Sequence, residues 1–328
     1  MSVTNFPNGV SSFGVSLPNG IGPAFPGKKF FVRPSTGSDG NDGLSPDRAL
    51  QTVSKALTLA TADKHDVIYL IGEGNSANAS SARVSSTLTW SKDCVHLIGV
   101  AAPVAVSQRA RIAVTSGSAA MSPMVDVTGN NCIFQNIQFF HGQADATALL
   151  NVRVTGQRNY FENCHFAGIG DATQSAAGAA SLAIIGGAEN VFRHCVMGLD
   201  TVTRDADATE LLFDTAATRN LFEDCHFSSY IDNASFCSVT VADTTAIDRW
   251  QRFKNCLFQT DSVNQGTTQT NVFSLPAGIV QGKIILQDCA YITDGASGAG
   301  DWGADRGIVW CNMPAAAASA AGGEMTKQ

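Results

Sequence analysis

The chain has 328 residues, of which 44% are hydrophobic and 15% charged, and its formal net charge is −7. That composition excludes a disordered chain, and the length suits one large domain or two ordinary ones. No stretch is densely basic, which excludes the clustered Lys and Arg that a sequence-independent grip on nucleic acid requires.

Residues 1–28 read MSVTNFPNGVSSFGVSLPNGIGPAFPGK and carry the related turn signals FPNGV and LPNGI. No basic region leads into an apolar run, so no signal peptide is expected, and no apolar stretch is long enough to span a membrane. The segment is too short for a core of its own. Its Phe6, Pro7, Asn8, Phe13, Leu17, Pro18 and Phe25 suit an extended arm docking on a partner surface. GPAFPGKK (22–29) falls one residue short of a phosphate loop, with Lys29 in place of the metal-binding hydroxyl.

Residues 29–92 begin with a strand, FFV, and a turn-rich loop, SDGNDG (38–43). This loop lacks a calcium site's closing carboxylate, because Leu50 stands there. A helix is predicted next, with Ser45 as N-cap and Pro46 at its first position. Ala49, Leu50, Val53, Ala56, Leu57 and Ala60 would form its apolar face. A strand, VIYLI (67–71), follows.

From residue 93 the chain repeats. IFQNIQF (133–139), YFENCHF (160–166), VFRHCVM (191–197), LFEDCHF (221–227), RFKNCLF (252–258) and ILQDCAY (285–291) align on Ile137, Cys164, Cys195, Cys225, Cys256 and Cys289. The anchors are 27, 31, 30, 31 and 33 residues apart, a solenoid period. Between copies lie short β-rich pieces: LLNVRV (149–154), SLAII (181–185), ELLFD (210–214), SVTVA (238–242) and NVFSL (271–275). Short strands at a fixed period predict a β-solenoid.

The columns assign faces. Three residues before the anchor stand Phe134, Phe161, Phe192, Phe222, Phe253 and Leu286, an inward stack. Two residues after it stand Phe139, Phe166, Met197, Phe227, Phe258 and Tyr291, a second one. Immediately before the anchor stand Asn136, Asn163, His194, Asp224, Asn255 and Asp288, residue types that tolerate positive φ; a sharp left-handed corner is predicted there. Gln135, Glu162, Arg193, Glu223, Lys254 and Gln287 form a polar ladder whose middle four members alternate in sign, as parallel in-register stacking favours.

This pattern resembles the right-handed, single-stranded parallel β-helix of the pectate-lyase type over residues 93–312, with 94–98 as an irregular early coil and IVWCNM (308–313) as a last partial one. The fold expected is all-β, with an N-terminal capping helix, the extended arm at 1–28 and a low-complexity tail at 313–328. The resemblance implies an asparagine ladder at the corner, here partly replaced by His194, Asp224 and Asp288.

The adjacent Cys164–His165 and Cys225–His226 suggest metal or thiol chemistry. Strand alternation argues otherwise: the cysteines fill the core and the histidines point outward to the surface. The nine cysteines include no Cys-x-x-Cys pair and are expected as reduced fillers. No metal site and no cofactor are predicted. The strongest catalytic candidates lie on the acidic loop: Asp200, Arg204, Asp205 and Asp207, with Glu210 and Asp214 beyond and Asp171, Asp232 and Asp243 on neighbouring loops. Enzymes of this architecture use carboxylates with an Arg or Lys base, so a polysaccharide lyase or hydrolase is one expectation.

The other comes from the arm. SVTNFPNGVSSFGV (2–15) resembles the opening of β-helix proteins from tailed-phage head genes, which decorate capsids or form head fibres. This implies a structural virion protein on the capsid surface, bound to the major capsid protein and homotrimeric; host surface glycan is left open as a further partner, and charge and hydropathy point to neither nucleic acid nor membrane.

Overall fold

The computed structural model describes residues 25–74, 80–205, 207–262, 267, 269–278, 280–293, 302–303 and 308–311, together with the backbone of 11–12 and 15–16. The chain coils into a right-handed parallel β-helix with three long sheets. The first runs from Lys29–Val32 through Val67–Ile71, His96–Val100, Ile133–Gln135, Tyr160–Glu162, Val191–Arg193, Asn220–Glu223, Trp250–Lys254 and Lys283–Gln287 to Ile308–Cys311. The second runs from Ala82–Val84 and Arg111–Val114 through Gln138–Phe140, His165–Ala167, Val196–Met197, His226–Ile231 and Leu257–Ser262 to Ala290–Thr293. The third runs from Leu88–Trp90 to Phe273–Ser274 and includes Leu150–Val154, Ala180–Ile185, Thr209–Asp214 and Val239–Val241, the β-rich pieces between the motif copies.

Each motif copy is one corner. YFE is a first-sheet strand, Asn163 turns the chain, and HFA is a second-sheet strand. The whole predicted column has positive φ: Asn136 (56°), Asn163 (49°), His194 (50°), Asp224 (53°), Asn255 (51°) and Asp288 (52°). Their side chains link coils, with Asn163 Nδ2 donating to Asn136 Oδ1 at 3.0 Å and Asn255 Nδ2 to Asp224 Oδ1 at 2.6 Å.

The inward columns stack in register. Phe134, Phe161, Phe192, Phe222 and Phe253 face one another across successive strands, with ring centroids 4.7–4.8 Å apart and nearly parallel planes. The anchor cysteines fill the corner beside them and donate weak bonds to carbonyls of the preceding coil, as Cys195 Sγ does to Phe161 O at 3.5 Å. At 4.8 Å spacing this regularity sets the register of every coil. On the outside, Glu223 pairs with Arg193 at 3.4 Å and with Lys254 at 2.6 Å, while Glu162 accepts from Gln135.

One expectation at the N-terminal end is corrected. Ser45 and Pro46 open only a 3-10 turn, Pro46–Arg48; the α-helix, Val53–Leu59, is capped by Thr52, whose hydroxyl accepts from Lys55 N. Leu50 is drawn out of the helix because it bridges to Val32 and satisfies the free edge of the first strand, Phe31 O and Arg33 N. The apolar face still closes the coil, with Ala49, Leu50, Val53, Ala56, Leu57 and Ala60 all buried. Lys92 Nζ ties the helix to the next coil through Leu57 O and Thr58 O. The coil at 94–98 exists, but its positive-φ residue, Cys94, precedes the first-sheet strand. That strand runs on through Gly99, where a Cβ would lie 2.0 Å from Asn136 O, and a loop, 101–110, replaces the tight corner.

Candidate functional site

The acidic loop departs most from its expected role. Asp200, Asp205 and Asp207 are exposed on it, but Arg204 and Glu210 are fully buried. Arg204 Nε donates to Glu210 Oε1 at 2.7 Å, and its Nη groups donate to Ile169 O, Val202 O and Gly168 O. Glu210 also accepts from Ser181 Oγ at 2.5 Å and Ser229 Oγ at 3.1 Å. Gly198, with φ 98°, lies against the carboxylate, where a Cβ would be 2.4 Å from Glu210 Cδ. Glu210 falls on the outer face of the third sheet, level with Ser181 on one side and followed by buried Ser238 on the other. A guanidinium so enclosed cannot reach a substrate proton, so Arg204 is withdrawn as a candidate base. Asp171 and Asp243 are also committed locally, capping Thr173 N and Thr245 N. Among the described residues, no three His, Cys, Asp or Glu side chains are placed to hold a metal ion.

The Cys–His pairs divide as alternation requires, but the outer half is corrected. Cys164 is buried inside; His165, on the outer face, is only 2% exposed. Loop 101–110 crosses the corner and covers it. Ser107 N and Gln138 Nε2 both reach His165 Nδ1 at 3.1 Å, and His165 Nε2 bonds Gly198 O at 2.8 Å. These partners select the neutral Nε2–H tautomer, and burial pushes the pKa down to about 4. His165 is a latch joining two loops to the sheet. His226 is half-buried, and burial lowers its pKa as well.

Of the arm residues, Phe6, Pro7, Asn8, Phe13, Leu17 and Pro18 lie outside the described residues. Phe25, half-buried, makes a contact within the chain. Its ring lies 4.4 Å from that of His96 on the chain's own first sheet. Gly27 passes so close to His65 that a Cβ would meet its carbonyl carbon at 2.4 Å. Lys28 N is held by Asp66 Oδ1.

A second structural ladder, absent from the sequence expectations, lies at another turn. Asn159, Asn190, Asn220 and Gln251 stand five residues before their anchors and are fully buried at the turn from the third sheet to the first. Asn190 Oδ1 accepts from Asn159 N at 2.9 Å, and its Nδ2 donates to Gly156 O and Asn220 Oδ1. Asn220 repeats the pattern with Asn190 N, Gly187 O and Gln251 Oε1. These amides satisfy backbone groups that the turns leave unpaired.

The outer face of the second sheet carries the remaining chemistry. Arg83, Arg109 and Arg111 gather on its first coils, with Phe140 on the next. Arg111 Cζ sits 5.5 Å from the centre of the Phe140 ring. Burial and the neighbouring charges of Arg109 and Arg83 lower the Arg111 pKa.

No family model matches the chain, and no curated protein does. Among solved structures it is similar to the pectate lyase Pel9A, with a TM-score of 0.56 and 14% identity over 84% of this chain and 68% of that one. It is also similar to the pectin methylesterase from Aspergillus niger, with a TM-score of 0.51 and 16% identity over 90% of this chain and 85% of that one. A Geobacillus virus E2 protein, ORF18, matches at a TM-score of 0.34 and 12% identity over 74% of this chain and 57% of that one, too distant to support an argument. At these identities the likeness shows the parallel β-helix fold alone.

Proposed function

We propose that the chain is a structural protein of a tailed-phage virion. In this reading a rigid β-helix stands on the capsid as a homotrimer and is held to the major capsid protein by the arm at 1–28, of which residues 25–28 also pack on the chain itself, so that 1–24 is the part to delete. The observation that carries it is the burial of the Arg204–Glu210 pair. The residues best suited to acid–base work on the acidic loop hold that loop to the shaft instead. The unbroken Phe and Cys columns and the two side-chain ladders favour a stiff rod, and the arm's resemblance to phage head proteins supplies the location. The test is co-sedimentation with capsids of the phage that encodes the chain. The full chain should sediment with them and the chain lacking residues 1–24 should not; equal binding by both would remove the arm from the account.

A second reading, a polysaccharide lyase or hydrolase, is favoured by the likeness in fold to pectate lyase and pectin methylesterase structures. Release of oligosaccharides from host surface polysaccharide by the purified chain would establish it and end the purely structural reading.

A further inference from the structure

Most described arginines have a carboxylate partner, among them Arg33, Arg48 and Arg249, and Arg252 bonds Gln287 instead. Arg153 pairs with Asp126, Arg158 and Arg219 with Glu189, Arg193 with Glu223 and Arg204 with Glu210. Arg109 and Arg111 form no ion pair among the described residues, although they lie close together and beside Arg83. Like charges gathered on one face repel, and the cost grows with burial. Arg111 is half-buried, and its Nε is shielded from solvent without a partner.

The surroundings fix this guanidinium in place. Phe140 supports it from below, and the ring is wedged by two glycines. A Cβ on Gly142 would come 2.8 Å from the ring, and one on Gly170 3.1 Å. Gln138, directly opposite Arg111 on the next strand, spends its amide nitrogen on His165 and leaves a buried Oε1 without a partner. Arg111 is thus a cation held on an aromatic face, with an exposed second cation at Arg109 and no counter-charge among the described residues.

We propose that this face of the second sheet binds an oxyanion between Arg109 and Arg111. The guanidinium fork suits carboxylate, sulfate or phosphate oxygens, and a bidentate contact would satisfy both side chains. Arg83, which donates to Val114 O at 2.7 Å, adds to the local positive potential. The cluster is confined to the first coils of a chain with net charge −7, so it cannot follow a long phosphate backbone. The inference is independent of the capsid reading and places ligand binding on the shaft.

The test uses the full chain at about 0.15 M salt, with three probes: inorganic sulfate, heparin and polygalacturonate. Wild type should bind, and the double variant Arg109→Gln/Arg111→Gln should lose at least about tenfold in affinity. Phe140→Leu should lose less, and the Arg219→Gln control nothing. Melting temperatures check that each variant is folded. Displacement of heparin by sulfate would mark a site for a free anion; retention by a polymer that sulfate does not displace would mark a group carried on a glycan. Undiminished binding by the double variant, no binding of any probe by wild type, or equal retention on single-stranded DNA would overturn the proposal.

Discussion

Arg204 and Arg111 are both arginines on the outside of the coil, and their surroundings are opposite. Arg204 is sealed under its own loop, with a carboxylate and three carbonyls around it. Arg111 is half-open on an aromatic ring, beside other cations. The first is consumed by the scaffold and the second is available. Charge type alone therefore does not identify function on this shaft; the number of partners does.

The largest expected effect is on the sealed pair. Arg204→Met leaves a buried carboxylate with only two hydroxyl partners and should destabilise the fold by about 3–5 kcal/mol, read by denaturant unfolding. Acid should come next. His165 has a folded pKa below its unfolded one, so between about pH 6.5 and pH 4 the unfolded chain binds more protons. Its contribution is full above that window and lost within it, roughly 3 kcal/mol in all. Burial also pushes His96 and His141 down to about 4, and they act in the same direction. Unfolding midpoints measured from pH 7 to pH 4 should fall steadily, and His165→Gln should flatten part of that slope. Asn190→Ala removes one rung of the buried ladder and should cost about 1–3 kcal/mol. Lys254→Ala, on the exposed charge ladder, should change stability by less than about 1 kcal/mol. Arg111→Gln should leave stability almost unchanged and alter only anion binding.

Legibility in the sequence followed the same division. The positive-φ corner and the phenylalanine stacks could be read because each coil repeats them at one position and local sterics decide the residue type. The buried amide ladder stood in the same motif as the first letter of NYFENCHF and NLFEDCHF. The column is hidden in the sequence because Cys132 and Ile284 interrupt it and Asn there has the look of an ordinary turn residue. Alternation placed His165 outside the coil, but only the chain path of loop 101–110, some 58 residues earlier in sequence, decides that outside is not exposed. The Arg204–Glu210 pair was hidden for a related reason. A mixed-charge loop is usually solvated, and here the aspartates are, while the Arg204 side chain alone is drawn in by carbonyls from residues 168–169 of the preceding coil. The early coil at 94–98 is irregular, as expected, because Gly99 and a long loop replace the usual corner, and the helix begins late because Leu50 is needed to close a strand edge.

The most direct measurement is calorimetric unfolding of Arg204→Met beside Arg111→Gln at neutral pH. The account predicts a large fall in melting temperature for Arg204→Met and a shift near zero for Arg111→Gln. A stable, well-folded Arg204→Met together with a strongly destabilised Arg111→Gln would contradict it, and would return the acidic loop to the list of functional sites.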